Sequence, residues 1–316
     1  MLLQVVLFLA GLVVLAFGAE GLIRGAARLA RAMGMSPFVV GFTVIGFGTS
    51  APELVVSLSA ALQGRSEIAL GNVVGSNIAN VGLVLGLGAL VAPLAAHMRL
   101  LKVEVPLVIA TSLLLWALCW DGAVGRVDGA VFLACFAGVA VYMYRTSKEE
   151  PPEVKQEVGL VAAEKMSMRT AVVLVVLGLA GLIGGAHLMV ESAVELARSL
   201  GVSEWLIGLT VVAVGTSLPE LAASVAGAYR GEADIVLGNV AGSNLFNVLL
   251  ILGVTAAVKP MGVPPEALTL EIPVMVGFAV LFLAVIANGL RVTRREGALL
   301  LACYAGFIAY QVAGPR

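Results

Sequence analysis

Two stretches of this sequence occur twice, and both pairs of copies are separated by the same distance along the chain. GFTVIGFGTSAPEL begins at Gly41 and recurs as GLTVVAVGTSLPEL at Gly208, and LGNVVGSNIANV begins at Leu70 and recurs as LGNVAGSNLFNV at Leu237, an offset of 167 residues each time. A constant offset that holds over most of a chain is the signature of an internal duplication. We therefore expect the chain to fold as two copies of one unit.

The chain is too apolar to fold as a soluble globule. Of its 316 residues, 60% are hydrophobic and 12% are charged, and the mean hydropathy is +1.04. So few polar groups cannot cover the surface of a water-soluble protein. A helix that spans a bilayer needs about 20 predominantly apolar residues. Ten segments meet that need approximately: 1–18, 38–62, 68–94, 103–120, 127–144, 168–196, 205–229, 235–258, 268–286 and 297–312.

A polar stretch at residues 145–165, rich in Glu and Lys and containing Pro151 and Pro152, divides these segments into two groups of five. We predict a first five-helix repeat at 1–145, a cytoplasmic linker at 146–167 and a second five-helix repeat at 168–316. Because five is odd, the second copy enters the membrane in the opposite direction. The predicted fold class is an all-α integral membrane protein of about ten helices in two inverted repeats, which is typical of secondary transporters.

The distribution of positive charge predicts how the chain is oriented. If the segments alternate, fourteen Lys and Arg residues lie on the face of the linker and five lie on the other face. Cytoplasmic loops carry the excess of Lys and Arg. We therefore expect a multi-pass protein of the cell inner (plasma) membrane, with a cytoplasmic linker and both termini on the extracytoplasmic side. The net charge of −1 gives no indication of a nucleic-acid partner.

Each copy of the first motif places a proline and a glutamate inside an apolar segment. Pro52 and Pro219 have no N–H to donate and crowd the carbonyl four residues earlier, so the helix is expected to open there. Opened backbone at membrane depth is stable only where protein or a water-filled cavity satisfies it. Glu53 and Glu220 follow the prolines, and a charged side chain at mid-span costs about 3 kcal/mol on insertion scales. Two duplicated acids at such positions indicate a functional site and two negative charges.

The second motif adds further oxygen donors in each half, namely Asn72, Ser76, Asn77 and Asn80, and Asn239, Ser243, Asn244 and Asn247. The neighbouring Gly71, Gly75, Gly238 and Gly242 are expected to let helices approach closely, which would bring these side chains to the glutamates. Oxygen ligands favour Ca²⁺, Na⁺ or Mg²⁺, whereas zinc and copper favour imidazole or thiolate. The three cysteines lack C-x-x-C spacing and there are only two histidines, so neither a thiolate metal site nor a cofactor is expected.

Two further acids, Glu104 and Glu271, also correspond by the offset of 167 residues. Each stands at the start of its apolar segment, where a carboxylate complements the helix dipole. We interpret both as interfacial or structural residues.

The duplicated G-T-S-x-P-E-L and G-N-x-x-G-S-N motifs resemble the two repeats of the Ca²⁺:cation antiporter superfamily, in its sodium/calcium exchanger branch. The resemblance covers essentially the whole chain. It implies antiport, with Ca²⁺ between Glu53 and Glu220, assisted by Thr49 and Thr216. It also implies Na⁺ sites that flank the Ca²⁺ and take hydroxyls from Ser50, Ser217, Ser76 and Ser243 and main-chain carbonyls from Gly46 and Ala213, with Asn80 and Asn247 beside the middle site. Many relatives have an acid at the position of Asn247, which is typical of potassium-dependent members, so potassium coupling is not expected here.

The predicted function is exchange of Na⁺ for Ca²⁺ by alternating access, with these ions and the lipid bilayer as partners and no obligatory protein partner. A proton/Ca²⁺ or proton/cation antiporter on the same scaffold is the main alternative, since a buried Glu can exchange a proton for a metal. A passive channel is a further alternative. An intramembrane enzyme would need a nucleophile with its base or a metal with His ligands, and the sequence shows no such constellation.

Overall fold

The computed structural model describes residues 2–33, 37–146, 166–199 and 213–313, and nearly all of them are helical. In the first half, a turn at Pro37–Val40 follows α1 and leads into α2; the helices are α1 (Leu2–Met33), α2 (Gly41–Thr49), α3 (Ala51–Leu62), α4 (Ser66–Val91), α5 (Leu100–Asp121) and α6 (Arg126–Thr146). In the second half they are α7 (Met168–Ser199), α8 (Ala213–Thr216), α9 (Leu218–Tyr229), α10 (Ala233–Val258), α11 (Ala267–Ala287) and α12 (Arg294–Ala313).

Described residues form helix in each of the ten predicted apolar segments. Seven helices in the described part of the chain are long and apolar enough to cross a membrane, and the bent pair α2 and α3 makes eight. Helix α12 is outside that count, although its 20 residues have the length of a span. The predicted linker at 146–167 lies outside the described residues except at its two ends, as does the start of the predicted segment 205–229.

Helices α4 and α10 form the centre of the bundle. In the apolar window of α10, 94% of the residues are buried, and in that of α4 78%, against 22% for α1. Both central helices contain a π-helical turn, at Asn80–Leu85 and at Phe246–Leu252. π-helical turns frequently mark functional sites. The residues around these two turns are therefore candidates for a functional site.

Four two-residue strands connect the halves at the ends of the bundle. Strand β1 (Leu94–Ala95) pairs with β4 (Arg291–Val292), and β2 (Ala123–Val124) pairs with β3 (Met261–Gly262), both antiparallel. Each pair joins one strand from each half. The inverted duplication thus ties the two halves together twice.

The long helices α1 and α7 pack against each other, backbone to backbone. A Cβ atom added at Gly18 would lie 2.7 Å from the main-chain nitrogen of Leu182 and 2.9 Å from the carbonyl oxygen of Gly178. Small residues at such interfaces let helices approach closely in a bilayer. The pair has its own cluster of buried apolar side chains, and Glu20 on α1 binds Arg230, which follows α9, through two guanidinium nitrogens.

This packing predicts that Gly18→Ala destabilises the protein. The added methyl group meets main-chain atoms that cannot move aside, and overpacking of this kind costs roughly 1–3 kcal/mol. The matched control is Gly21→Ala on the same helix, whose new Cβ would meet Leu174 at 3.7 Å, an ordinary contact distance. Thermal unfolding of the purified protein in detergent should show a lower midpoint for Gly18→Ala only. Equal midpoints for the two variants would contradict the close packing of α1 and α7.

Candidate cation site

Both copies of the first motif break a helix at the same point. Helices α2 and α3 meet at an angle of 45° across Ser50, and Ser217 separates α8 from α9. The backbone angles of the two serines nearly coincide, with φ −83° and ψ 4° at Ser50 and φ −88° and ψ 5° at Ser217. Pro52 and Pro219 stand at the start of the following helix, where a missing N–H has little cost.

The breaks place the two glutamates in the first turn of α3 and of α9. Glu53 is 0% exposed and Glu220 is 1% exposed. The Ser50 hydroxyl donates a hydrogen bond of 3.1 Å to Oε1 of Glu220, so a residue of the first half holds the carboxylate of the second. The Thr49 hydroxyl lies 3.0 Å from the Ile45 carbonyl oxygen and 3.4 Å from Oδ1 of Asn239.

An asparagine from the second motif fixes each glutamate in the same way. Nδ2 of Asn72 donates to the main-chain oxygen of Glu53 at 3.2 Å and to the Ser57 hydroxyl at 2.9 Å. In the second half, Nδ2 of Asn239 donates to the main-chain oxygen of Glu220 at 3.4 Å and to the Ser224 hydroxyl at 3.1 Å.

The asparagines Asn80 and Asn247 stand at the π-helical turns of the central helices, and both are buried. Nδ2 of Asn247 donates to Oδ1 of Asn77 at 3.1 Å across the two halves. This bond uses the nitrogen of the Asn247 amide, so its oxygen remains for another partner.

Seven buried side-chain oxygens of the two motifs have no hydrogen-bond partner among the described residues: both carboxylate oxygens of Glu53, Oε2 of Glu220, Oδ1 of Asn80 and of Asn247, and the hydroxyls of Ser217 and Ser243. A buried polar atom without a partner costs about 1–3 kcal/mol. All seven atoms are oxygens, so the combined cost points to a ligand that binds oxygen. The donor set fits a hard cation, and no cluster of three or more His, Cys, Asp or Glu that could bind a metal exists among the described residues.

The remaining predicted ligands lie around this set. Ser76 is buried, and Thr216 is half-buried. The Gly46 carbonyl oxygen accepts the Ser50 N–H at 3.1 Å, and Ala213 begins α8. The structure therefore brings residues of both halves together, and their roles as ligands stay a prediction.

A cavity of about 370 Å³ borders this region. Its polar wall consists of Asn72, Ser76, Thr216, Glu271 and Gln311, with the Tyr304 ring among apolar neighbours.

Helix α2 packs closely on the corresponding surface of the second half. Asn239 is 1% exposed, whereas Asn72 is half-buried. A Cβ added at Gly242 would meet the main-chain oxygen of Phe42 at 2.5 Å, which confirms the predicted close approach at that glycine. Gly71 and Gly75 line the cavity, and the close approach predicted there stays a prediction, because residues 208–212, which correspond to the start of α2, lie outside the described residues.

Comparison with known proteins identifies the family. The family model described as sodium/calcium exchanger protein matches residues 3–145 and 170–313. The chain belongs to the sodium/calcium exchanger family. The chain is 40% identical over 312 residues to CaxA of Alkalimonas amylolytica, covering 97% of this chain and 98% of CaxA. It is 31% identical over 337 residues to the sodium/calcium exchanger MaX1 of Methanosarcina acetivorans, covering 96% of each chain.

A solved structure of the sodium-calcium exchanger NCX_Mj, soaked with 10 mM Na⁺ and 10 mM Sr²⁺, matches with a TM-score of 0.85 at 32% identity and covers 100% of this chain and 99% of that one. The predicted superfamily, the all-α membrane fold and the multi-pass membrane location are thereby confirmed.

Sequence reasoning missed Ser57 and Ser224, which receive the asparagine amides. A signal was present, because the two serines are also 167 residues apart and each follows its glutamate by four residues, one turn along the helix. The role of Asn77 in binding Asn247 had no such signal, since this bond joins positions that the repeat does not pair.

The bond from Ser50 to Glu220 predicts that Ser50→Ala weakens cation binding. Hydrogen bonds to charged groups contribute about 1.5–3 kcal/mol, so we expect an increase in the dissociation constant for Ca²⁺ of roughly tenfold or more. Ser59→Ala on α3, whose hydroxyl accepts a bond from exposed Gln63, is the control. Calorimetric titration of the purified protein with Ca²⁺ measures both. Identical affinities for the two variants would show that the interhalf bond does not support the site.

Proposed function

We propose that this protein exchanges Na⁺ for Ca²⁺ across the inner membrane by alternating access and without potassium. The observation that supports this best is the group of seven unpartnered buried oxygens around Glu53 and Glu220. Membership of the sodium/calcium exchanger family supports the choice of ions. Glu53 and Glu220 would bind Ca²⁺ directly, with Thr49, Thr216, Asn80 and Asn247 beside them. The hydroxyls of Ser50, Ser217, Ser76 and Ser243 and the carbonyls of Gly46 and Ala213 would hold Na⁺.

Two buried carboxylates explain why the ions exchange. With Asn247 neutral, the site contributes two negative charges, which one Ca²⁺ balances and which Na⁺ ions also balance. Leaving two like charges uncompensated in a low-dielectric interior is strongly unfavourable. An empty site therefore resists closure, and release of one ion type is coupled to binding of the other.

Sodium is a sufficient driving ion on energetic grounds. With a tenfold Na⁺ gradient and a potential of ~100 mV, three Na⁺ ions release roughly 11 kcal/mol. Expelling one Ca²⁺ against a 10,000-fold gradient and the same potential requires roughly 10 kcal/mol. Two Na⁺ ions release roughly 7 kcal/mol, enough for a shallower gradient.

The inverted duplication supports alternating access. Among the described residues, a cavity borders Asn72 and Ser76 on α4, while the equivalent Asn239 and Ser243 on α10 pack against α2. Because the halves are inverted copies, exchanging the two arrangements between them would close this cavity and open one at the opposite face. With the linker on the cytoplasmic side, the present cavity faces the extracytoplasmic side.

The proposal predicts that Glu53→Gln and Glu220→Gln abolish sodium-dependent calcium transport. Each substitution removes one of the two charges that bind Ca²⁺, and we expect uptake of radioactive calcium by Na⁺-loaded vesicles to fall at least 100-fold. Glu67→Gln, which neutralises an exposed carboxylate at the start of α4, is the control and should transport normally. Undiminished uptake in either site variant would refute the assignment of these residues.

The same vesicles separate the coupling ions. A proton/Ca²⁺ antiporter would take up calcium under a pH gradient without sodium, and a potassium-dependent exchanger would need potassium beside sodium. We expect uptake with internal sodium alone and none with a pH gradient alone. A passive channel would show flux that neither saturates nor depends on the ion inside.

A further inference from the structure

Glu271 is not among the residues assigned to the exchange site. It lies in the first turns of α11, is half-buried, and forms part of the wall of the cavity that leads to Ser76 and Thr216. Gln311 on α12 donates a hydrogen bond of 3.2 Å from Nε2 to Oε1 of Glu271. Among the described residues that line the cavity, Glu271 is the one acid, and none is basic.

The duplicated position in the first half has a different environment. Glu104 is fully buried and forms an ion pair of 2.7 Å with Nε of Arg99, whose guanidinium also lies over the Tyr142 ring at 5.7 Å. Of the two roles predicted for Glu104, interfacial or structural, the structure supports the structural one, because Arg99 neutralises the carboxylate within the protein.

In the described part of the second half, no such cation is duplicated beside Glu271. The offset of 167 residues places Glu266 where the first half has Arg99, and Glu266 is exposed. A positively charged partner for the carboxylate has been replaced by a second negative charge. Glu271 therefore presents its charge to the cavity.

We propose that Glu271 is a recruitment site for the transported cation, resting on the proposed exchange function. A hydrated Ca²⁺ or Na⁺ ion would bind the carboxylate in the cavity and then move inward to Ser76 and Thr216. Low-dielectric walls lined by one sign of charge focus the field and raise the local concentration of counter-ions. A single carboxylate with water ligands binds weakly, as required of a site that ions must leave.

This role has a sidedness that a structural role lacks. Glu271 acts on ions that arrive through the cavity, while its counterpart Glu104 is neutralised by Arg99. Loading from the cavity face should therefore depend on Glu271 at low Ca²⁺ concentration. The dependence should weaken as ionic strength rises, because salt screens charges that face water.

The kinetic test measures initial rates of radioactive calcium uptake from the cavity face as Ca²⁺ is varied, at low and at high ionic strength. For Glu271→Gln we expect a three- to tenfold higher half-saturating Ca²⁺ concentration at low ionic strength, an unchanged maximal rate, and a smaller shift in high salt. Glu271→Asp should restore wild-type behaviour. Glu266→Gln, which removes an exposed charge five residues away, is the matched control and should have little effect.

A binding measurement distinguishes failure of this proposal from failure of the exchange function. Tb³⁺ serves as a luminescent substitute for Ca²⁺, excited through Tyr304 in the cavity wall and the neighbouring Trp116. We expect a tight and a weak class of Tb³⁺ sites in the wild type, loss of the weak class in Glu271→Gln, and loss of the tight class in Glu53→Gln.

Three results would overturn the proposal. One is a Glu271→Gln variant that transports and binds Tb³⁺ like the wild type, because Gln preserves the hydrogen bond to Gln311 and a structural role would survive. The second is an equal shift for Glu266→Gln, which would reflect surface charge in general. The third is retention of the weak Tb³⁺ class in Glu271→Gln. If the wild type transports no calcium but Glu271→Gln still removes the weak class of Tb³⁺ sites, the exchange function is contradicted and cation binding at Glu271 is supported.

Discussion

The structure depends on the cost of keeping two carboxylates inside a membrane. Charged side chains at that depth are expensive unless a partner compensates them. Within the described residues, hydrogen bonds reach Oε1 of Glu220 from Ser50 and the main chain of both glutamates from Asn72 and Asn239. Both side-chain oxygens of Glu53 and one of Glu220 have no hydrogen-bond partner among the described residues. The broken helices, the asparagines and the π-helical turns are arranged around that requirement.

The inverted duplication gives corresponding residues matching contacts at some positions and different surroundings at others. Corresponding residues make matching contacts where they hold the site, as the bonds of Asn72 and Asn239 show. Among the described residues they differ where the site meets the outside, since α10 packs against α2 whereas α4 borders a cavity. Two such surroundings for one sequence unit are what alternating access requires.

Much of this architecture was predictable because membrane insertion imposes simple rules. The positions of the helices follow from apolar length, and the breaks at Ser50 and Ser217 follow from Pro52 and Pro219. Contacts between positions that do not correspond in the two repeats were not predictable, because they depend on how the halves pack together. The bond from Asn247 to Asn77 is an example. The ion pair between Glu104 and Arg99 was not predicted either, although the two residues are only five positions apart.

The position of a bound cation would decide whether Glu53 and Glu220 form the ion site. Crystals of the protein soaked in Sr²⁺ should give an anomalous peak between the carboxylates of Glu53 and Glu220, with Sr²⁺ to oxygen distances near those of Ca²⁺, about 2.5 Å. A peak elsewhere, or carboxylates that make only hydrogen bonds at a saturating concentration of Sr²⁺, would contradict the claim that these two buried acids form the ion site.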